Sequence, residues 1–448
     1  MKKKQIYILL TLVFAVAIIA IIYNYSKTQK EKETTVYELL ARKGGAAQTK
    51  EWVAVKKRAS DLAAALKLDP SDAKSSLKLA SLFIQEARET GNYVYYDMAA
   101  MRQINAVLKE QPNNFDALVF KALIQMSQHH FSDGLVTAEV ARKINPYNGY
   151  IYGLLVDGNV EMGQYDSAVV YADKMVAVRP DLTSYSRVSY LREIYGDYQG
   201  SIKAMKMAVE TGGAGDEHTE WTRVQLASLY EKIGDFNKAD TLYQYALTLR
   251  PNYPYALAGL GRVALAKNEY KKAITYFEQA DALISDNSFK EELVDIYRLA
   301  GETKKAEDMA KAVIADLNKD AQAGINDENI GHYADKELAY AYLKIGNTDK
   351  ALEHAMLEYN RRPDNIDVNE AVAWVYYKKD DAAKAVPYIK AALKTNSKNP
   401  VLLSRAGLIY NKAGDKAMAK TMLQLATTTN AFIDFTLRTE TTAVLKNL

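Results

Sequence analysis

The chain has 448 residues, 48% of them hydrophobic and 25% charged, the balance of ordinary folded sequence. Its net charge of +3 is too small to drive binding to nucleic acid or to an anionic membrane surface. With no cysteine it has no disulfide, no thiol nucleophile, no thiolate-held zinc and no lipidated N-terminal cysteine.

The chain opens with MKKKQIYILLTLVFAVAIIAIIYNYSKTQK, in which Ile6–Tyr23 is an uncharged run. The run is at the short end for a membrane span and longer than a signal-peptide core of about 7–15 residues. No small-x-small cleavage site follows it, and cutting after Ala15-Val16-Ala17 would leave an apolar new end. Residues 1–25 are therefore read as a single-pass membrane anchor, with a cleaved signal peptide as the alternative. Lys2, Lys3 and Lys4 favour a cytoplasmic N-terminus, although Lys27, Lys30 and Lys32 follow the run. The expected location is the inner (cytoplasmic) membrane with the rest of the chain extracytoplasmic, or periplasmic if the leader is removed.

Residues 26–50, with TTVYELLARKGG, are expected to be a linker or a degenerate first helix. ASDLAAALKLDP (59–70) reads as a second helix closed by Pro70. Residues 75–112 read as a full helical hairpin with a few extra residues near Tyr93–Asp97. From there the chain repeats itself about every 34 residues, the mark of a stacked array. Units begin at Phe115, Gly149, Leu182, Glu220, Pro254, Asn287, His332, Ile366 and Pro400.

Position 15 of each unit is His129, Gly163, Gly196, Gly234, Asn268, Gly301, Gly346, Asp380 or Gly414, residue types that accept positive φ. Each is expected to end one helix in a left-handed turn. Position 20 is always small: Gly134, Ala168, Ser201, Ala239, Ala273, Ala306, Ala351, Ala385 and Ala419. Position 27 is Ala in six units: Ala141, Ala208, Ala246, Ala280, Ala392 and Ala426. These suit close helix crossings. Pro112, Pro146, Pro180, Pro251 and Pro363 close their units. A hairpin of this size cannot bury its apolar face alone, but stacked neighbours can.

This pattern resembles the tetratricopeptide repeat. Leu226, Ala227, Tyr230, Ala239, Tyr243, Ala246 and Pro251 match the family motif in one unit, and Leu338, Ala339, Tyr342, Gly346, Ala351 and Pro363 match it in another. The resemblance implies an all-α helix-turn-helix solenoid, a superhelix of about ten units following one N-terminal transmembrane helix. The array is expected at 51–315 and 332–430, split by an inserted polar loop at 316–331 and ended by a capping segment at 431–448. Asp316, Asn318 and Asp320 alternate like calcium ligands, but Ala321 and Asp327 stand where Gly and Glu are needed, so a plain loop is expected.

No catalytic motif is present, so no enzyme activity, cofactor or small-molecule substrate is expected. The five histidines, His129, His130, His218, His332 and His354, form no metal-binding spacing. His129-His130 is assigned a solvated or capping role, and no metal is expected.

The resemblance places positions 2, 5, 9, 12 and 13 of each first helix on the concave side of the superhelix. There the sequence puts Tyr150, Trp221, Tyr255 and Tyr333, then Tyr190, Tyr340 and Trp374, then Tyr377, with Lys336 among them. Rigid rings beside charges are the composition of binding hot spots. Tyr190, Trp221, Tyr255, Tyr333, Lys336, Tyr340, Trp374 and Tyr377 are the expected partner contacts; the competing reading has these rings packed on the next helix. The family's clamp for a C-terminal carboxylate is absent, because Tyr340 and Ala371 occupy its asparagine places. The expected function is a membrane-tethered scaffold for a peptide or partner protein. The alternatives are a released periplasmic binding module and an accessory subunit of an envelope assembly machine.

Overall fold

A computed structural model of the chain describes residues 3–34, 37–325, 331–430, 432 and 435–448. Helices, turns and links account for all of them, and there is no strand among the described residues. The first helix, Lys3–Thr34, contains one stretch, Leu9–Lys27, long and apolar enough to cross a membrane by length and composition, and none of that stretch is buried.

A single helix, Lys50–Leu68, opens the repeat body. Ten hairpins follow, from Ala73–Thr90 with Tyr93–Glu110 to Pro400–Lys412 with Lys416–Thr429, and the helix Phe435–Lys446 closes it. The local reasons are the same in each unit. All nine residues at position 15 have positive φ, including His129 (63°), Asn268 (61°) and Asp380 (66°). An aspartate or asparagine then often caps the second helix, as Asp197, Asp235, Asn347, Asp381 and Asp415 do by accepting a backbone N–H. Every alanine at positions 20 and 27 is fully buried, as is Ser201. Glycines on the first helix Pro254–Ala266 leave room for rings: Tyr243 lies against Gly259 and Phe277 against Gly261.

The superhelix winds back onto itself. The turns of early units touch the links between units one superhelical turn later, through hydrogen bonds between residues 195 to 205 positions apart. Asn365 Nδ2 donates to the Glu161 carbonyl at 2.9 Å, and the Ile366 N–H to Tyr165 Oη at 2.9 Å. Asn430 Nδ2 donates to the Glu231 carbonyl at 2.8 Å, and Phe236 meets Phe432 edge-on at 5.5 Å. The Ser285 N–H donates to the Thr90 carbonyl at 2.9 Å, and the Tyr333 N–H to the Gln128 carbonyl at 3.2 Å. Arg362 spans this seam. It is buried, pairs with Glu358 and Glu161, and lies 4.6 Å over the Phe131 ring.

Two expectations about connecting segments are corrected. Residues 316–325 are not loop but the end of the long helix Thr303–Ile325. The reason is packing at helical spacing: Val313 and Leu317 bury against Ala334, Leu338 and Ala341 of the next unit. Asp316, Asn318 and Asp320 are therefore helical, while Asp327 falls outside the described residues. Residues 37–43 are neither a helix nor a free linker. They lie on the first hairpin, where the Leu40 N–H donates to Tyr96 Oη at 2.9 Å and buried Arg42 pairs with Glu86 at 2.6 Å.

The seam gives some turn glycines a second role. A methyl group on Gly163 would overlap the Asp364 carbonyl, whereas nothing lies within 4 Å of the same position on Gly346. Gly346→Ala carries only the left-handed backbone cost, about 1–2 kcal/mol. Gly163→Ala adds the loss of the seam contact, so it lowers the melting temperature more than Gly346→Ala. Equal falls in thermal melts followed by circular dichroism would show that the seam adds nothing.

Candidate binding surface

The first helices of the units line the inside of the superhelix. The first three hairpins, together with Glu217 and His218 at the start of the helix Glu217–Lys232, line a cleft of about 900 Å³. Its walls carry paired charges, two of the pairs reaching across the superhelix and one joining adjacent units. Arg88 holds Glu217 at 2.8 Å, Arg250 holds Glu89 at 2.7 Å, and Arg187 holds Asp157 at 2.5 Å. Among these charges stand tyrosines with open faces. Tyr93 and Tyr150 line the cleft and are 38% exposed. Tyr190, 41% exposed, stands where the carboxylates of Asp367, Glu161 and Glu193 act on it. Loss of solvation pushes the Tyr93 hydroxyl up to about 12 and raises those of Tyr150 and Tyr190. Rings that are accessible while their hydroxyls are poorly solvated lie in a recess rather than on an outer surface.

The expected contact residues divide into two groups. Tyr190, Trp221, Tyr255, Lys336 and Tyr340 are partly accessible. Trp221 packs on the core of its own and neighbouring units, and Tyr255 sits between Tyr253 at 5.5 Å and Phe289 at 5.7 Å. Burial works against the charge of Lys336, but Glu337, Asp367 and Glu161 more than restore it, so its pKa is raised. Tyr340 Oη accepts from Arg405 at 3.0 Å.

Trp374, Tyr377 and Tyr333 do not join them in one aromatic patch. Trp374 is 6% exposed and Tyr377 8%. The two rings stack at 4.9 Å, and Arg405 from the next unit covers Trp374 at 5.1 Å. The Tyr377 hydroxyl donates to Glu440 of the closing helix. These rings finish the core at the C-terminal end. Tyr333 belongs to the seam, stacked at 4.0 Å on His130 with Arg361 over its other neighbourhood at 4.3 Å.

The histidines also depart from expectation. His130 is buried and its Nε2 bonds the Gly331 carbonyl at 2.5 Å, so it neither caps its helix through the side chain nor faces solvent. His129 lies against His332, with ring centres 4.3 Å apart. Two histidines remote in sequence meet because the superhelix closes, which linear spacing cannot reveal.

One buried acid in the cleft was not anticipated. Asp97 accepts from Ser127 at 2.9 Å and from Gln128, yet burial pushes its pKa up to about 7. It sits on a second helix, outside the positions considered for binding.

Comparison with known proteins gives one family-model match, to a tetratricopeptide-repeat model over residues 224–288. A TPR repeat-containing protein of Methanocaldococcus jannaschii is 23% identical over 315 residues, 67% of this chain and 53% of that protein. A CTR9 homologue of Arabidopsis thaliana is 23% identical over 66% of this chain and 30% of its own length. The chain thus spans about half or less of these relatives. Among solved structures, the human IFIT1 dimer with PPP-AAAA is 13% identical, with a TM-score of 0.47 over 72% of this chain and 73% of that one. The Cut9–Hcn1 hetero-tetramer of APC/C is 14% identical, with a TM-score of 0.40 over 96% of this chain and 81% of that one.

Two consequences can be measured. Asp97 is held protonated in the fold at a pH where the unfolded chain ionises. The stability this gives is present below about pH 4 and lost as pH rises through about 7. Asp97→Asn should therefore raise the melting temperature at pH 8 and leave it nearly unchanged at pH 4. A constant difference across that window would contradict the shift. Trp374→Ala empties a core site, so equilibrium denaturation should show a loss of about 3–5 kcal/mol. A fully stable variant would return Trp374 to the binding surface.

Proposed function

We propose that this tetratricopeptide-repeat chain is a membrane-tethered scaffold that holds a peptide or partner-protein segment along the inner wall of its superhelix, outside the cytoplasm. The observation that carries this reading is the set of accessible, poorly solvated tyrosines: Tyr93 and Tyr150 among paired charges in the cleft, and Tyr190 beside the carboxylates of Asp367, Glu161 and Glu193. Such rings cost little entropy to order and offer both an apolar face and a hydroxyl. Tyr255, Lys336, Tyr340 and Trp221 extend the same inner wall and are proposed as further contacts. The Leu9–Lys27 stretch supports the tether, and the basic residues ahead of it support the orientation. A released periplasmic module would use the same wall without the tether.

A photo-cross-linking amino acid placed at 150 or 190 should capture the partner in intact cells. The same probe at Tyr245, half-exposed on a second helix, should not. The adducts should sediment with washed membranes. Capture from 245 with none from 150 or 190 would move the binding face to the outside. Adducts found only in the soluble fraction would favour the released module.

A further inference from the structure

Where the turn of the Phe115 unit meets the start of the His332 unit, the seam contains more than hydrogen bonds. One ligand atom from each of His129, His332 and Glu337 lies within 4.8 Å of the other two. The three come from two stretches joined only by closure of the superhelix. We propose that His129, His332 and Glu337 bind a divalent transition-metal ion of the zinc class, which pins one superhelical turn to the next.

The donor set is the first support. Two imidazoles and one carboxylate, with one position left for water, are a common zinc set. The second is an orphan. Glu337 Oε2 is buried and has no hydrogen-bond partner, a costly state for a carboxylate oxygen that a cation would relieve. The third is orientation. His129 Nδ1 stands 3.0 Å from the Tyr333 carbonyl, which can only accept, so Nδ1 carries the proton and Nε2 is left free to ligate. Donors around a tetrahedral zinc ion stand about 3.3 Å apart, so the donor atoms, within 4.8 Å of one another here, need to draw together by up to about 1.5 Å. Rotations about their own side-chain bonds can supply that.

The nearby Lys336 does not complete the carboxylate, since Oε2 remains without a partner beside it. The seam elsewhere is held by asparagine amides, at Asn365 and Asn430. Here histidines take that place, next to the link into the His332 unit.

The test uses the full-length chain without an affinity tag, in detergent, stripped with chelator and then titrated with zinc sulfate in a calorimeter. One equivalent of zinc should bind. Glu337→Gln, which keeps size and packing, should weaken it at least tenfold, and His332→Ala should do the same. Zinc should raise the melting temperature of the parent chain and not that of either variant. Cobalt(II) should give the visible absorption of a four- or five-coordinate site in the parent only. No saturable zinc binding by the parent overturns the proposal. So does equal binding by a folded Glu337→Gln variant, which would place the ion on His218 or His354. If His332→Ala fails to fold, the Glu337→Gln result decides.

Discussion

Everything described above depends on one contact: the left-handed turn of an early unit resting on the link between units about one superhelical turn later. A stacked array needs only nearest-neighbour packing to bury its helices. This one adds a second set of interactions, between units that are not neighbours in the stack. The groups involved are backbone carbonyls and amides that in an open solenoid would be left to water. Asn365 and Asn430 serve them with side-chain amides, Tyr165 with a hydroxyl, and Arg362 with a buried charge held between Glu358 and Glu161. A buried arginine with both partners in place is stable, and removing either partner would leave a charge in the interior.

Closure changes what the inner wall can do. In an open array the concave face is a broad groove. Here opposite walls come close enough for Arg88 to reach Glu217 and Arg250 to reach Glu89. The recess between them has charged, mutually paired walls and a few accessible rings. Closure also explains how His129 and His332 become neighbours.

The fold was legible in the sequence because its determinants are local and repeated. A left-handed turn admits few residue types, so His129, Asn268 and Asp380 could be read beside the glycines. A tight crossing admits fewer still, so Ala239 and its equivalents marked each second helix. The 316–325 stretch was misread because its polar residues suggested a loop. Its helix is set by Leu317 burying against the next unit, which is a tertiary fact. The binding surface was legible only in part. The family resemblance placed Tyr150, Tyr190 and Tyr340 on first-helix inner positions, but it could not show that Arg405 covers Trp374 or that Glu440 takes the Tyr377 hydroxyl. Nor could it show that Gly163 is fixed twice, by its own φ and by the Asp364 carbonyl against it. These outcomes depend on residues one unit, or one whole superhelical turn, away.

The most direct measurement of closure is amide hydrogen exchange on the full-length protein. The Ser285, Tyr333 and Ile366 N–H groups lie in links, at or just before the start of a helix, where no intrahelical partner exists. They are bonded instead to Thr90, Gln128 and Tyr165. A closed superhelix predicts slow exchange at all three, comparable with amides inside the adjoining helices. Exchange at the rate of an unstructured peptide at these three sites, with the helices still protected, would show an open solenoid and contradict the account.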